Sequence, residues 1–366
     1  MKKILCTTAL VGTTILAGVN ISAAQTTITG QLDLTYKSIS SDGNTAGTGT
    51  AQSYRGFGKE TQINVANKGN LNVAGLSYAA GFSLEADGSE SLTGGSHSEN
   101  IYIDIISGNT TLTFGADHIM NPDFEITNIA GGKADIDEVA FGIGGGTTGP
   151  LSAIHSTVNA NSSYSAFGVG IIQTIPNIAR VAVSYVPSNT NAGAVADGQN
   201  VSKASSNDAG NSQYDIMIDG SFGVKGARAF YAYNKAESET PGTPATASDR
   251  KGQKYGASYN FGQITLAASK SSVQSTSNVD ADTTSFAIAY AINNNATINL
   301  VRAKTDADGV LTTSRGAALD EKLTGVNIGY NLGPVTLNAW YVDGDNVGGV
   351  ATGEGKAAML LATTRF

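Results

Sequence analysis

The chain contains little cysteine, histidine or charge for its length. Cys6 is the only cysteine in 366 residues, the three histidines stand apart at positions 97, 118 and 155, and charged residues make up 14% of the chain. One cysteine excludes a disulfide framework, and the histidine spacing matches no metal-ligand pattern. The net charge of −8 argues against a nucleic-acid partner, because such a partner requires a basic surface.

Catalytic motifs are also missing from the sequence. The glycine-rich run 141–149 resembles a phosphate cradle, but no lysine follows it and no strand-to-helix context surrounds it. No serine-centred elbow occurs either. We therefore expect a protein that is not an enzyme and binds no cofactor.

The first 24 residues have the composition of a signal peptide. Lys2 and Lys3 are followed by a short apolar run over residues 4–17 and by small residues at 22–24, the pattern that a signal peptidase reads. The alternative, a membrane anchor, would need a longer apolar run to cross a hydrocarbon layer of about 30 Å. We expect residues 1–24 to be removed. The mature chain then starts near Gln25 and has 20 basic against 30 acidic residues, a net charge of −10.

Beyond the signal peptide, apolar and polar residues alternate over many short segments. Ile28, Leu32, Leu34 and Tyr36 alternate with polar residues near the mature start. The same pattern recurs in segments 74–85, 100–105, 254–261, 285–292, 326–332 and 335–341. Successive side chains of a strand point to opposite faces, so each segment predicts a strand with one apolar and one polar face.

The connections between these segments alternate in length. Seven short turns lie near 67–70, 107–109, 175–177, 222–226, 261–263, 293–295 and 332–334. Eight long polar loops cover 38–59, 86–97, 117–160, 187–212, 236–251, 271–281, 305–320 and 343–355. All seven prolines fall in turns or loops, where they interrupt no ladder. The count predicts about sixteen strands in one domain over residues 25–366, with short turns on one side and long loops on the other.

A soluble β-sandwich would show the same alternation, so the positions of the aromatic residues decide between the two folds. On the apolar face, aromatic residues stand at strand ends: Tyr36, Tyr78, Tyr185, Tyr255, Phe261, Tyr290, Tyr330, Tyr341 and Phe366. This placement is typical of the aromatic girdles at the two interfaces of a membrane. We predict an all-β fold, a transmembrane antiparallel β-barrel.

Four segments carry a further likeness: Thr26–Lys37, Ile101–Phe114, Val181–Pro187 and the last strand, which ends in Phe366. They resemble the general diffusion porins of Gram-negative outer membranes, of the sixteen-strand type. The resemblance implies a water-filled outer-membrane channel for passive diffusion of small hydrophilic solutes and ions, assembled as a homotrimer in contact with outer-membrane lipid and lipopolysaccharide. It also implies that Phe366 is an assembly signal for the barrel-assembly machinery, although Ala362 and Thr364 are smaller than the residues usual at those positions.

The resemblance further implies that the third long loop, residues 117 to about 160, folds into the lumen and narrows the pore. This loop carries six acidic residues: Asp117, Asp123, Glu125, Asp135, Asp137 and Glu138. Clustered carboxylates in a narrow aqueous channel concentrate cations and repel anions, so we expect mild cation selectivity. The alternative is an ordinary solvated acidic loop.

Four basic residues are candidates for the facing pore wall. Lys37, Arg228 and Lys254 fall on the polar phase of their strands, and Arg55 stands near a strand mouth. In the resembled family, arginines usually occupy this wall, and this chain has few of them.

Several loops carry paired aspartates. Asp343 and Asp345, with Gly348 and Glu354, match four positions of a calcium-binding loop, but Val347 occupies the fifth. We therefore expect no specific metal site. Loosely bound divalent cations at Asp343, Asp345 and Glu354 are the weaker alternative.

A second function stays open at this point. A barrel with long loops could also act as a surface adhesin or a structural anchor. The third loop distinguishes the two readings, because an infolded acidic loop indicates a pore and an outward loop indicates a display surface.

Overall fold

The computed structural model describes residues 24–41, 52–87, 97–116, 129, 134–143, 151, 167–186, 211–238, 250–275, 279–306, 311–312, 316–317, 319–349 and 353–366. The predicted signal peptide lies outside these residues except for Ala24, and so do Asp117, Asp123 and Glu125.

The described residues form eighteen strands, one short α-helix and one 3-10 turn. The first nine strands are β1 (Gln25–Ser41), β2 (Gln52–Asn70), β3 (Leu76–Asp87), β4 (His97–Ser107), β5 (Thr110–Ala116), β6 (Phe167–Ile175), β7 (Ala179–Val186), β8 (Asn211–Gly220) and β9 (Ala227–Ser238). The others are β10 (Arg250–Phe261), β11 (Ile264–Ser275), β12 (Val279–Asn293), β13 (Ala296–Asp306), β14 (Leu311–Thr312), β15 (Gly316–Ala317), β16 (Glu321–Asn331), β17 (Val335–Asp345) and β18 (Gly355–Arg365). The helix α1 covers Ile136–Ala140, and the 3-10 turn covers Val347–Gly349.

Sixteen of these strands close into one antiparallel barrel. Each strand pairs with its neighbours in chain order, and β13 pairs with β16 because β14 and β15 form a separate two-stranded hairpin. The first and last strands, β1 and β18, pair and close the ring. Closure leaves no sheet edge, so every strand of the ring has a hydrogen-bonding neighbour on both sides. The predicted antiparallel barrel of about sixteen strands is confirmed.

The two faces of the sheet differ as the alternation predicted. In β12, Phe286, Ile288 and Tyr290 are exposed, whereas Ala287 and Ala289 between them are buried. We call the face with exposed apolar side chains the outer face and the opposite one the inner face. An apolar outer face with a polar inner face is the arrangement of a barrel that crosses a membrane. In the described part of the chain, no helix is long and apolar enough to span a membrane.

Several boundaries differ from the sequence-based prediction, most clearly near the first two strands. The first short turn lies at 71–75 rather than at Asn67–Asn70, because β2 continues to Asn70 and the Tyr78 hydroxyl donates to Asn67 Oδ1 across the pair. The predicted loop 38–59 is also shorter, since β1 extends to Ser41 and β2 begins at Gln52.

Candidate pore lining and third-loop anchor

The register identifies the side chains that share the inner wall, because directly opposed residues of paired strands lie on the same face. One inner row runs through Lys37, Met359, Trp340, Asn327 and Asn299, on β1, β18, β17, β16 and β13. Both asparagines are fully buried. Polar residues at these positions are typical of barrels whose interior holds water.

The helix α1 belongs to the third loop and is built around acidic residues. Asp135 is its N-cap: the Ile136 N–H donates to Asp135 Oδ1 at 2.6 Å, and the Asp135 N–H donates to Glu138 Oε2 at 3.1 Å. This reciprocal arrangement is a capping box, which satisfies donors that the first helical turn leaves open. Asp135 and Asp137 are buried, and of the three acidic residues only Glu138 is exposed.

Residues 134–143 rest against the inner face of the last three strands of the barrel. A Cβ atom at Gly325 would lie 2.8 Å from Ile136 Cδ1 and 3.2 Å from Trp340 Cζ3, so the glycine makes room for the helix. Ile143, which follows the helix, lies 3.3 Å from the corresponding position at Gly344. This part of the third loop therefore lies on the inner wall. The rest of the loop lies largely outside the described residues, and the infolding of the whole loop stays a prediction.

Lys37 joins the inner wall of β1 to the end of α1. Its ammonium group donates to the carbonyl oxygen of Glu138 at 2.7 Å and to that of Phe141 at 3.0 Å. Carbonyl groups at a helix C-terminus lack intrahelical partners and carry partial negative charge, so a cation is stabilising there. The sequence-based prediction placed Lys37 and the acidic segment of the third loop on facing walls. In the structure the two are in direct contact.

A second anchor of the third loop is a buried carboxylate that sequence reasoning missed. Glu321 lies on the inner face of β16, and its Oε2 atom accepts from the Leu151 N–H at 2.7 Å and from the Gly348 N–H at 2.8 Å. Leu151 belongs to the third loop, and Gly348 belongs to the 3-10 turn after β17. Glu321 occupies the first position of its strand, where the alternation is hard to distinguish from loop sequence.

Two further basic candidates lie on the inner wall of the opposite side. Arg228 on β9 pairs with Asp219 on β8, with Nε to Oδ1 at 2.9 Å and Nη2 to Oδ2 at 3.3 Å. Lys254 on β10 shares the inner face with Ala232 and Ser271 and is almost completely buried.

Arg55 does not lie on the pore wall, which corrects the prediction. It faces Ser38 in the pairing of β1 with β2, two positions from the pair of Tyr36 and Phe57 on the outer face. Phe57 is 88% exposed, which identifies that face as the outer one. The prediction was wrong because residue 55 was assigned to a loop, whereas it lies inside β2 on the outward phase.

The inner wall of the first three strands carries acidic residues that the sequence-based candidate set did not include. Asp33 faces Glu60 across β1 and β2, and Gln62, the next inner residue of β2, faces Glu85 on β3. The Asp33 carboxylate accepts from the Thr363 hydroxyl and, at 2.7 Å, from the side-chain amide of Gln31. For Asp33 and Glu85 the signal was present in the sequence, because each stands on the polar phase of an alternating segment, whereas Glu60 directly follows the stretch that was assigned to a loop.

This acidic row, Asp33, Glu60 and Glu85, lies across the barrel from Arg228 and Lys254. In the sixteen-strand ring, β2 and β10 are eight positions apart, so they occupy opposite walls. Lys254 therefore lies on the wall opposite the acidic row. Opposed charges on the two walls give the lumen a transverse field.

The weak metal candidates do not come together. Asp343 faces Lys356 and Asp345 faces Lys322, both on the outer face, and Glu354 is exposed before β18. Among the described residues, no group of three or more His, Cys, Asp or Glu side chains is arranged to hold a metal ion.

Solved structures with low sequence identity share this fold. The anion-selective porin from Comamonas acidovorans is 13% identical, with a TM-score of 0.64 over 94% of this chain and 100% of that chain. A triple mutant of the Rhodopseudomonas blastica porin is 13% identical, with a TM-score of 0.58 over 93% of this chain and 100% of that chain. At such identities the likeness shows the fold alone. No curated protein sequence matches the chain.

A family model described as Gram-negative porin matches residues 7–349, nearly the whole chain. This match and the closed barrel confirm the predicted outer-membrane location and the general class of function. Members of this family are outer-membrane channels for passive diffusion rather than enzymes. The chain belongs to the Gram-negative porin family.

Proposed function

We propose that this porin passes small hydrophilic solutes and ions with a mild preference for cations, and that the third loop forms its constriction. The observation that carries the cation preference is the acidic row Asp33, Glu60 and Glu85 on three adjacent strands. Carboxylates in a narrow channel with low-dielectric walls raise the local concentration of cations. Arg228 and Lys254 on the other wall oppose this effect, so the preference is weak.

The two anchors of the third loop support its role as a constriction. Lys37 holds the end of α1, and Glu321 holds Leu151, so two separate points of the loop are tied to inner-face residues. A loop tied at two points keeps a fixed shape in the path of the solute. This packing also weighs against the alternative of an adhesin or anchor that uses the third loop for display.

The sign of the selectivity is tested by the reversal potential of the reconstituted channel under a KCl gradient. We expect a reversal potential whose sign indicates cation preference. Its magnitude should be smaller than the reversal potential of an ideally cation-selective channel. The variant Asp343→Asn is the matched control, because it removes a carboxylate from the outer face. A wild-type channel that prefers anions would refute the proposed selectivity while leaving the channel function intact.

We also propose that the protein is a homotrimer in contact with outer-membrane lipid. The outer face of β1 and β2 exposes Phe57 and Ile28, which a neighbouring subunit or lipid would cover. Chemical cross-linking in native outer membranes should give a trimer that separates only on heating. A monomer under every condition would contradict this assembly.

A further inference from the structure

One tyrosine stands among small residues on the inner wall of β2 to β5. The inner-face row that crosses these four strands consists of Ala66, Gly81, Tyr102 and Gly115. A Cβ atom at Gly81 would lie 2.8 Å from Tyr102 Cε1 and 3.0 Å from Tyr102 Cζ, so the aromatic ring lies over this glycine. Tyr102 is therefore the one large side chain of the row.

A β-bulge interrupts the pairing of β3 and β4 next to this tyrosine. The register shifts between Gly81 and Ser83, and Asn100, two residues before Tyr102, has a φ of 51°. A positive φ is uncommon outside glycine, although asparagine tolerates it better than most residues. Bulges that redirect a side chain, and backbone outliers of this kind, occur often beside functional sites. The bulge therefore marks this part of the wall for closer inspection of its side chains.

Three polar side chains beside the bulge are linked to one another. The side-chain amide of Asn100 donates to Ser83 Oγ at 3.4 Å, and the Ser83 hydroxyl donates to Asn64 Oδ1 at 2.5 Å. Within the part of the chain that the structure describes, the amide nitrogen of Asn64 and the Oδ1 atom of Asn100 have no hydrogen-bond partner. The linked residues therefore offer a donor at one end and an acceptor at the other.

This part of the inner wall is accessible from the lumen. Asn64, Asn100 and Tyr102 are only half-buried. Inner-face residues of β8 and β9 such as Met217 and Ala232 are, by contrast, fully buried. A solute that passes through the lumen can therefore reach the tyrosine ring and the two amides.

Two further polar residues border the ring along the strands. Glu85 is the next inner-face residue after Ser83 on β3, about 7 Å farther along the strand. Thr113 lies on β5, two residues before Gly115, and its buried hydroxyl has no hydrogen-bond partner among the described residues. The surroundings of Tyr102 thus supply a carboxylate and a hydroxyl in addition to the two amides.

An aromatic ring with hydrogen-bonding groups at its edge has the chemistry that a sugar requires. The C–H groups on one face of a pyranose pack against an aromatic ring, and its hydroxyls both donate and accept hydrogen bonds. We propose that Tyr102 and the linked residues Asn64, Ser83 and Asn100 form a weak binding site for neutral sugars on the channel wall. The linked residues carry no charge, which favours a neutral ligand over a cationic amine. The site rests on the proposed channel function and adds a class of solute to it.

The test measures the KCl current through the reconstituted channel while maltose is added. We expect maltose to reduce the current in a saturable way, and more strongly than polyethylene glycol of the same mass, which occupies the lumen without a pyranose ring. Tyr102→Ala should raise the maltose concentration for half of the full effect about tenfold, since the contact with the aromatic ring is lost. Tyr102→Phe keeps the ring and should keep the wild-type value. Tyr255→Ala is the matched control, because it removes a tyrosine from the outer face.

A second variant tests the polar edge of the site. Asn100→Gly removes the side-chain amide, and glycine adopts a positive φ without strain, so the bulge should stay folded. We expect maltose to act more weakly on this variant than on the wild type, with the KCl current in the absence of sugar unchanged.

An equal effect of maltose on Tyr102→Ala and on the wild type would overturn the site, as would an equal loss of the effect in Tyr255→Ala. A reduction of the wild-type current that never saturates would overturn it too. If choline reduces the current and maltose does not, the choice of a neutral ligand is wrong. A normal KCl current without any effect of maltose refutes the site alone, whereas the absence of a KCl current refutes the channel function as well. Heat-dependent migration on gels verifies that each variant is folded.

Discussion

The ring of Phe366 covers Gly30 on the outer face, where the first and last strands meet. The Gly30 N–H donates to the Phe366 carbonyl at 2.7 Å, and the Phe366 N–H donates to the Gly30 carbonyl at 3.0 Å. A Cβ atom at Gly30 would overlap the ring carbons. An aromatic ring over a cross-strand glycine stabilises that position in a sheet, so this pair locks the closure of the barrel.

A side chain at Gly30 should therefore weaken the closure. We expect Gly30→Val to displace the Phe366 ring and to lower the free energy of unfolding by about 1–3 kcal/mol, the usual cost of overpacking. The measurement is the urea midpoint of the folded band on unheated gels. Gly56→Val is the matched control, because a Cβ at Gly56 meets nothing within 4 Å. Equal effects of the two variants would contradict a specific role for the Gly30 and Phe366 contact.

The terminal residue should also control assembly. Deletion of Phe366 or Phe366→Asp removes the ring over Gly30 and, by the family resemblance, the signal for the barrel-assembly machinery. We expect less folded barrel in the outer membrane and more degradation in the periplasm, measured by fractionation and immunoblotting. Phe366→Tyr keeps the ring and should assemble normally. Normal amounts of folded Phe366→Asp would refute this role.

The barrel could be predicted from the sequence because it depends on a periodic alternation of apolar and polar residues. Residues such as Phe286, Ile288 and Tyr290 face the lipid at every second position, and this period survives in the sequence without any tertiary information. Strand ends are less certain, because loop and strand residues there are equally polar. Arg55 was misplaced for this reason, and Glu321 was overlooked for the same one.

The helix α1 could not be predicted in this way. It is five residues long, too short for a helical period to show, and it depends on contacts far away in sequence. Ile136 fits over Gly325, and Lys37 holds the C-terminal carbonyls from the first strand. The sequence drew attention to the acidic residues of this segment but did not predict that Asp135 and Glu138 cap the helix.

Lys37 should fix the third loop in place. We expect Lys37→Met to free the end of α1, at a cost of about 1 kcal/mol or more for the lost charge-assisted hydrogen bonds. A looser loop should give larger and noisier single-channel conductance in planar bilayers. Lys68→Met is the control, since it removes a cation from the inward phase of β2 without touching α1. Identical conductance traces for wild type and Lys37→Met would argue against the anchor.

Glu321 should act as the second anchor. In Glu321→Leu, the N–H groups of Leu151 and Gly348 lose their acceptor, and a buried donor without a partner costs about 1–3 kcal/mol. We expect faster cleavage within residues 117–160 by limited proteolysis of the folded protein. Glu321→Gln keeps one acceptor oxygen and should show an intermediate rate. Cleavage at the wild-type rate in Glu321→Leu would mean that the loop is held elsewhere.

The selectivity should depend on the acidic row more than on the cap of α1. Glu60 and Glu85 lie on the inner wall of β2 and β3, and lining charges act on permeating ions over about 8 Å at physiological salt. We expect Glu60→Gln with Glu85→Gln to shift the reversal potential toward anions while the barrel stays folded.

The control is Asp135→Ala, which also removes one carboxylate. That carboxylate is buried at the helix N-terminus, so its loss should cost about 1 kcal/mol of helix stability and shift the reversal potential little. If the double variant leaves the potential unchanged, the acidic row lies outside the permeation path. If Asp135→Ala shifts the potential as strongly, the buried cap influences permeating ions and the acidic row is not the main source of the selectivity.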